Sequence, residues 1–217
     1  MLKRTFDVFC AGAALLVFAP ALVALAFTIK VTSSGPVFYR GLRVGRGGVP
    51  FRIFKFRSMV VNAETIGGSS TADDDPRITG VGRFLRKTKL DELPQLLNVL
   101  IGDMSVVGPR PEVRHYVDMY TEEEKAILTV RPGITDWASL WNPDEGAVLA
   151  GSDDPERDYL EKIRPQKLKW QLEYVRRRSL WIDLRIIAQT IRAVVGRPTP
   201  QALLDTRAAD MQGVKRG

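Results

Sequence analysis

Residues 8–29 form a run of 22 without a single charged side chain. That run constrains the fold more than any other part of the sequence. In lipid every backbone N–H and C=O must be satisfied within the segment, which for one run of this length means a helix. A straight helix of the run would reach roughly 30 Å, the thickness of a bilayer's hydrocarbon core. Pro20 lies inside it, and an internal proline removes a helical hydrogen bond and clashes with the preceding turn, costing about 3 kcal/mol. It leaves arms of about twelve and nine residues, roughly 18 and 14 Å long, neither of which crosses a bilayer alone.

Three arrangements follow. A cleaved signal peptide would use Lys3, Arg4 and the tripeptide Ala24-Leu25-Ala26, but its apolar region normally has about 7–15 residues. A single span would place the N-terminus outside, since the larger positive charge follows the run. A re-entrant hairpin bent at Pro20 would return both basic flanks to one membrane face, with Gly12, Ala13, Ala14 and Ala19 permitting close packing. Pro20 favours the hairpin.

Charge adds to the membrane reading. No acid occurs between Asp7 and Glu64, whereas Lys30, Arg40, Arg43, Arg46, Arg52, Lys55 and Arg57 all fall there. A basic block just past an apolar run is where a juxtamembrane segment meets anionic lipid. The net charge of +7 would also suit nucleic acid or phosphorylated substrates. No recognisable nucleic-acid motif accompanies it, so nucleic acid is not expected as a partner. Cys10 is the only cysteine and His115 the only histidine, which leaves no intrachain disulfide and argues against a thiolate metal site, a multi-histidine zinc site and a serine–histidine–aspartate triad. Catalysis must use carboxylates, lysines and arginines, with Mg²⁺ available to them.

The expected fold is α+β and mostly helical. It comprises a membrane-embedded segment with its junction (1–34), a catalytic domain (35–197) and a poorly ordered tail (198–217). Residues 37–40 and 51–56 predict a small β-hairpin around Gly41, Gly45, Gly47 and Gly48; those glycines match neither the dinucleotide fingerprint nor the P-loop. Residues 62–76, with Asp73, Asp74 and Asp75, read as a mobile acidic loop. Asp91 predicts a cap for a helix starting at Glu92, with Pro94 in its first turn and Leu93, Leu96, Leu97 and Leu100 as its apolar face. Thr121 and Glu124 form a capping box. Two amphipathic helices are expected, over 165–178 and 182–195. The second, with Trp181, Arg185 and Arg192 beside its apolar stripe, suits a membrane interface or packing on the domain equally.

The chemistry concentrates in Leu90-Asp91-Glu92-Leu93-Pro94-Gln95 and Gly108-Pro109-Arg110-Pro111. Adjacent carboxylates just after Arg86, Lys87 and Lys89 make a poor core and suit phosphate or a metal ion. A helix start would add free N–H groups and a positive dipole end. Lys55, Arg57, Arg86 and Arg110 could bind a diphosphate, arginine in bidentate fashion, and two prolines restrict Arg110. A carboxylate can attack phosphorus to form an acyl phosphate, with Mg²⁺ bound through one or two carboxylates plus substrate phosphates. Asp91 and Glu92 are therefore the candidate catalytic pair, and Asp91 is the candidate metal ligand.

In their order these motifs resemble the bacterial sugar transferases, the small monotopic phosphoglycosyl transferases. The resemblance is carried by Gly35-Pro36-Val37-Phe38-Tyr39, Phe51-Arg52-Ile53-Phe54-Lys55-Phe56-Arg57-Ser58-Met59, Asp75-Pro76-Arg77-Ile78-Thr79 and Val81-Gly82-Arg83-Phe84-Leu85-Arg86-Lys87. It continues through the two site motifs, Asn98-Val99-Leu100 and Arg131-Pro132-Gly133-Ile134-Thr135. It implies that Asp91 attacks the β-phosphate of a UDP-sugar, releasing UMP, and that polyprenyl phosphate, undecaprenyl phosphate above all, then takes the phosphosugar. It further implies Glu92 as general base or Mg²⁺ helper, and Lys55, Arg86 and Arg110 as phosphate ligands. The re-entrant helix would sit in the bacterial inner membrane among its lipids, with the site on the cytoplasmic face; a homo-oligomer is compatible with this. Two departures stand out: Gly41 replaces a usual glutamine, and Asp136-Trp137-Ala138-Ser139 replaces Gly-Leu-Ala-Gln. The second lies where substrate contacts are expected and so bears on which sugar is moved. The alternative, a catalytically silent membrane scaffold of a glycan assembly complex, has no use for an intact Asp91–Glu92 pair.

Overall fold

The computed structural model describes residues 1–68 and 70–196, and the expected tail at 198–217 lies outside the described residues. Helix α1 (Leu2–Thr32) takes in the whole apolar run, and Pro20 does not end it. It is long and apolar enough to cross a membrane. Its burial is confined to the two arms. Ala11, with Ala14 and Leu15, packs against Leu96, Val99 and Met104, while Leu22, Leu25, Ala26 and Ile29 pack with Phe56 and Leu85. Residues 16–21 between them are all exposed. Six residues sweep more than one full turn, so around Pro20 every face of the helix is exposed.

Polar contacts fasten both ends. Asp7, 2% exposed, accepts hydrogen bonds from Ser105 Oγ (2.9 Å) and the Val106 amide (3.1 Å). Lys3 donates to Asp183 at 2.7 Å. At the other end the Arg57 guanidinium donates to the carbonyls of Ser33 (2.8 Å) and Ser34 (2.5 Å).

The expected hairpin is present as two nested antiparallel pairs. Strand β1 (Phe38–Tyr39) pairs with β4 (Lys55–Phe56), and β2 (Leu42–Val44) pairs with β3 (Pro50–Arg52). The turn between β2 and β3 needs left-handed backbone at Gly47 (φ 71°) and Gly48 (φ 78°), which glycine adopts at little cost. Asn98 causes the imperfect alternation of residues 51–56. Wholly buried, it accepts from the Phe54 amide (2.7 Å) and donates to the Arg52 carbonyl (2.9 Å), spanning the break that separates β3 from β4.

Strands β5 (Ser105–Val107) and β6 (Gly133–Thr135) run parallel, Ser105 opposite Gly133 and Val107 opposite Thr135. The helices Trp137–Trp141, Arg164–Arg177 and Leu180–Val194 pack around Trp170, Tyr174 and Ile186, which anchor the main core. The last helix buries Ile186 but exposes Trp181, Leu184, Ile191 and Val194. The Thr121–Glu124 capping box forms, with reciprocal bonds of 2.8 and 3.3 Å, though it opens a 3₁₀ segment, Glu124–Thr129. The acidic loop is better anchored than its composition suggests. Asp75 is bound by the Arg77 guanidinium, the Asp73 amide donates to the Gly146 carbonyl, and Asp74 accepts from the Gly151 amide.

Candidate active site

The acidic pair does not cap a helix. Leu90–Glu92 is one 3₁₀ turn, and the helix behind it starts only at Gln95, after Pro94. The turn is set by Lys89, held in the left-handed region at φ 57°, a conformation that costs a non-glycine residue roughly 1–2 kcal/mol. The expected cap at Asp91 is thus corrected, with a consequence for chemistry: its carboxylate is not spent on backbone amides. Asp91 is 5% exposed and takes no hydrogen bond among the described residues. Burial pushes its carboxyl above the ordinary value; Lys55, Arg86 and Arg110 pull the other way, while Glu92 adds to the rise.

Glu92 has the opposite environment. Its carboxylate accepts from Lys55 Nζ at 2.9 Å and from Arg110 through both terminal nitrogens, one of them at 2.8 Å. Burial alone would raise its pKa, but Arg110 and then Lys55 hold it well below the usual carboxylate range. Burial in turn lowers the Lys55 ammonium, against the pull of Glu92. Two adjacent carboxylates therefore differ sharply, one neutralised by two cations and the other desolvated and unbonded.

Each cation reaches the pair from a different element. Lys55 comes from β4, just past the Asn98-held break. Arg110 follows β5 in the Gly108–Pro111 turn, which lies backbone to backbone against the Pro132-Gly133 turn. The Gly108 amide donates to Thr135 O (3.0 Å) and the Gly133 amide to Pro109 O (2.9 Å). A Cβ on Gly133 would sit 2.1 Å from the Gly108 nitrogen, so only glycine permits this approach. Arg86, at the end of the Gly80–Lys87 helix, acts on Asp91 through its charge.

Arg57 is not brought to the site. Its guanidinium is buried and bonded to the end of α1, so its expected role as a phosphate ligand is corrected to an anchor for the apolar helix. Two further ionic residues, the half-buried Glu145 and the buried Lys167, had no signal in the sequence. Glu145 lies within the electrostatic reach of Arg110 and pairs with Lys167 at 3.0 Å; Lys167 also pairs with Glu112 at 2.8 Å. Their partners lie 22 to 55 residues away in the chain, beyond any local motif.

No group of three or more metal-type side chains occurs among the described residues. Mg²⁺ needs no such cage, since it keeps several waters and binds through one or two carboxylates plus substrate phosphates. Asp91 fits that requirement because its lone pairs are not engaged; Glu92, occupied by two cations, does not.

The family model described as bacterial sugar transferase matches residues 1–197. A UDP-N-acetylgalactosamine-undecaprenyl-phosphate N-acetylgalactosaminephosphotransferase of Aeromonas hydrophila is 41% identical over 197 residues, covering 89% of this chain and 44% of that protein. A UDP-glucose:undecaprenyl-phosphate glucose-1-phosphate transferase of Escherichia coli K12 is 40% identical over 194 residues, covering 88% of this chain and 39% of that protein. The exopolysaccharide production protein ExoY of Rhizobium meliloti is 36% identical over 209 residues, covering 89% and 85%. The chain thus spans less than half the length of the first two relatives.

Proposed function

The chain belongs to the bacterial sugar transferase family, and from that membership we propose that it moves a sugar-1-phosphate from a UDP-sugar to a polyprenyl phosphate such as undecaprenyl phosphate. The observation that carries the reading is the contrast within the acidic pair, an unbonded, desolvated Asp91 beside a Glu92 that already holds two phosphate-binding cations. An Asp91 carboxylate oxygen attacks the sugar-bearing phosphorus, the bond to the bridging oxygen breaks, and UMP leaves with that oxygen. An oxygen of the polyprenyl phosphate then attacks the same phosphorus and breaks the acyl-phosphate bond. Asp91 is regenerated, and the product is a polyprenyl diphosphate sugar.

Lys55 and Arg110 bind the diphosphate and stabilise charge on the phosphoryl oxygens, arginine through its planar fork, and Arg86 adds positive field at Asp91. We assign Glu92 to orienting Lys55 and Arg110 and not to taking a proton, because its low pKa makes it a weak base. Asp91 is the residue that would hold Mg²⁺, which when bound supplies neutralising charge to the diphosphate.

We further propose that α1 is re-entrant. Its two arms dock on one domain while residues 16–21 between them are exposed, as an apex in lipid would be, and the basic block past α1 suits an anionic inner leaflet. The exposed apolar side of Leu180–Val194 would lie at the same interface, placing the site on the cytoplasmic face of the inner membrane. The test is UMP release by the detergent-solubilised protein given undecaprenyl phosphate, Mg²⁺ and a panel of UDP-sugars. UMP from a particular sugar, lost in Asp91→Asn, is expected; equal release by the variant rules out Asp91 as the nucleophile.

A further inference from the structure

Asp136 belongs to the segment in which this chain departs from the family pattern, and the structure changes what that departure means. Asp136, Trp137 and Ala138 are all buried, Asp136 completely, which leaves the half-buried Ser139 of this segment for the expected sugar contact. What Asp136 touches instead is the site arginine.

Its two oxygens have separate tasks. Oδ1 accepts from the Ser139 amide (2.7 Å) and Ser139 Oγ (2.8 Å), an ordinary cap on the Trp137–Trp141 helix. Oδ2 points the other way and accepts from the Arg110 backbone amide (3.3 Å) and from Gln171 Nε2 (3.3 Å). The same Gln171 nitrogen reaches the Arg110 carbonyl at 3.4 Å, and Gln171 is itself fully buried. Both backbone polar groups of Arg110 are thus taken by one dry Asp–Gln pair, on a residue already flanked by Pro109 and Pro111. A helix cap needs only one of the carboxylate oxygens, so the cap alone does not account for the second.

We propose that Asp136, with Gln171, is a positioning residue for the transfer reaction. It fixes the backbone of Arg110 so that the guanidinium stays aimed at the Glu92 side of the site, where the diphosphate would bind. This rests on the reading of Arg110 as a diphosphate ligand. The device is electrostatic as well as mechanical, since the buried negative charge of Asp136 also acts on the Arg110 guanidinium.

Asp136→Asn separates the two tasks in the full-length, detergent-solubilised chain. An asparagine that keeps its oxygen towards Ser139 preserves the cap and turns its NH₂ onto the Arg110 amide and the Gln171 amide, donor against donor. Displacing a binding group by about 1 Å can cost up to roughly 100-fold in rate, so kcat for UMP release should fall by about 10- to 100-fold. Ser139→Ala, which weakens the cap and leaves Arg110 alone, should keep near wild-type kcat. Hydrogen exchange at the Arg110 amide should speed up in Asp136→Asn and not in Ser139→Ala. In an Arg110→Ala background Asp136→Asn should add no further loss, because residues acting through one group are non-additive. If Asp136→Asn fails to fold, Gln171→Met removes the donor to the Arg110 carbonyl and should behave the same way.

Full kcat in the folded variant, or a loss that multiplies with that of Arg110→Ala, overturns the proposal while leaving the transferase reading intact. Undiminished transfer by Arg110→Ala alone overturns the underlying reading of Arg110, and this proposal with it.

Discussion

Removing the proposed nucleophile should make the protein more stable. The Asp91 carboxylate is almost wholly buried and has no hydrogen bond among the described residues. Its burial outweighs the pull of Lys55, Arg86 and Arg110, so its pKa lies above the ordinary aspartate value. A carboxyl that titrates higher in the folded than in the unfolded state contributes stability below its unfolded pKa and loses it as pH rises through the folded one. At neutral pH ionised Asp91 is therefore a cost to the fold, about 1.4 kcal/mol for each pH unit separating the two values. Asp91→Asn keeps the shape and removes the charge. Relief of this kind at an active site is commonly worth about 0.5–2 kcal/mol, and a chain of 150–250 residues gains about 2–4 °C per kcal/mol. The assay is thermal unfolding of both proteins in one detergent from pH 4 to pH 8. The variant should melt higher at pH 7–8 by several degrees, with the difference shrinking towards pH 4 as wild-type Asp91 takes up its proton. A variant no more stable than wild type at pH 8, or an advantage that grows on acidification, would refute the argument that desolvation dominates at Asp91.

Glu92→Gln should act in the opposite sense. Its low pKa means that Glu92 contributes stability above the ordinary carboxylate pKa and loses it only as pH falls through the depressed folded value. Losing charge-assisted bonds from Lys55 and Arg110 should cost about 3 kcal/mol at neutral pH; a melting difference that disappears by pH 6 contradicts this. Gly133→Ala would place a Cβ 2.1 Å from Gly108 N and 2.4 Å from Gly108 O, both backbone atoms. Overpacking of this kind costs about 1–3 kcal/mol, and the displaced Arg110 turn should lose up to about 100-fold in transfer; wild-type kcat would show that the two turns part freely. Arg57→Ala should lower the melting temperature and expose the chain near Ser33 and Ser34 to protease, with KM for the UDP-sugar unchanged. A raised KM would return Arg57 to the phosphate site.

Much of the fold could be read locally because its signals are local. The charge-free run gave α1, the glycine cluster gave the hairpin, and Thr121 with Glu124 gave their capping box. Helices expected at 165–178 and 182–195 appear as Arg164–Arg177 and Leu180–Val194. Asp91, Glu92, Lys55 and Arg110 converge as their chemistry suggested, with Arg86 near enough to act on Asp91. The failures are long-range. Arg57 lies two residues after Lys55 and shares its charge, and only the position of the α1 C-terminus decides that it bonds to Ser33 and Ser34. Asp91 reads as a cap because aspartate ahead of a helix-spaced leucine face, with a proline in the first turn, commonly is one, and the left-handed Lys89 that prevents it has no sequence signature. Asp136 reads as part of a substrate-contacting segment until Gln171, 35 residues later, is seen beside it.

Asp91 is proposed to carry the phosphosugar between donor and acceptor. The most direct test of that role is intact-protein mass spectrometry, with peptide mapping, after acid quench of the protein with Mg²⁺ and its UDP-sugar but no polyprenyl phosphate. The expected result is one sugar-phosphate adduct on the peptide containing Asp91, UMP released in equal amount, and loss of the adduct on adding undecaprenyl phosphate. Unmodified protein that releases UMP only when the acceptor is present, or an adduct on another residue, would contradict it.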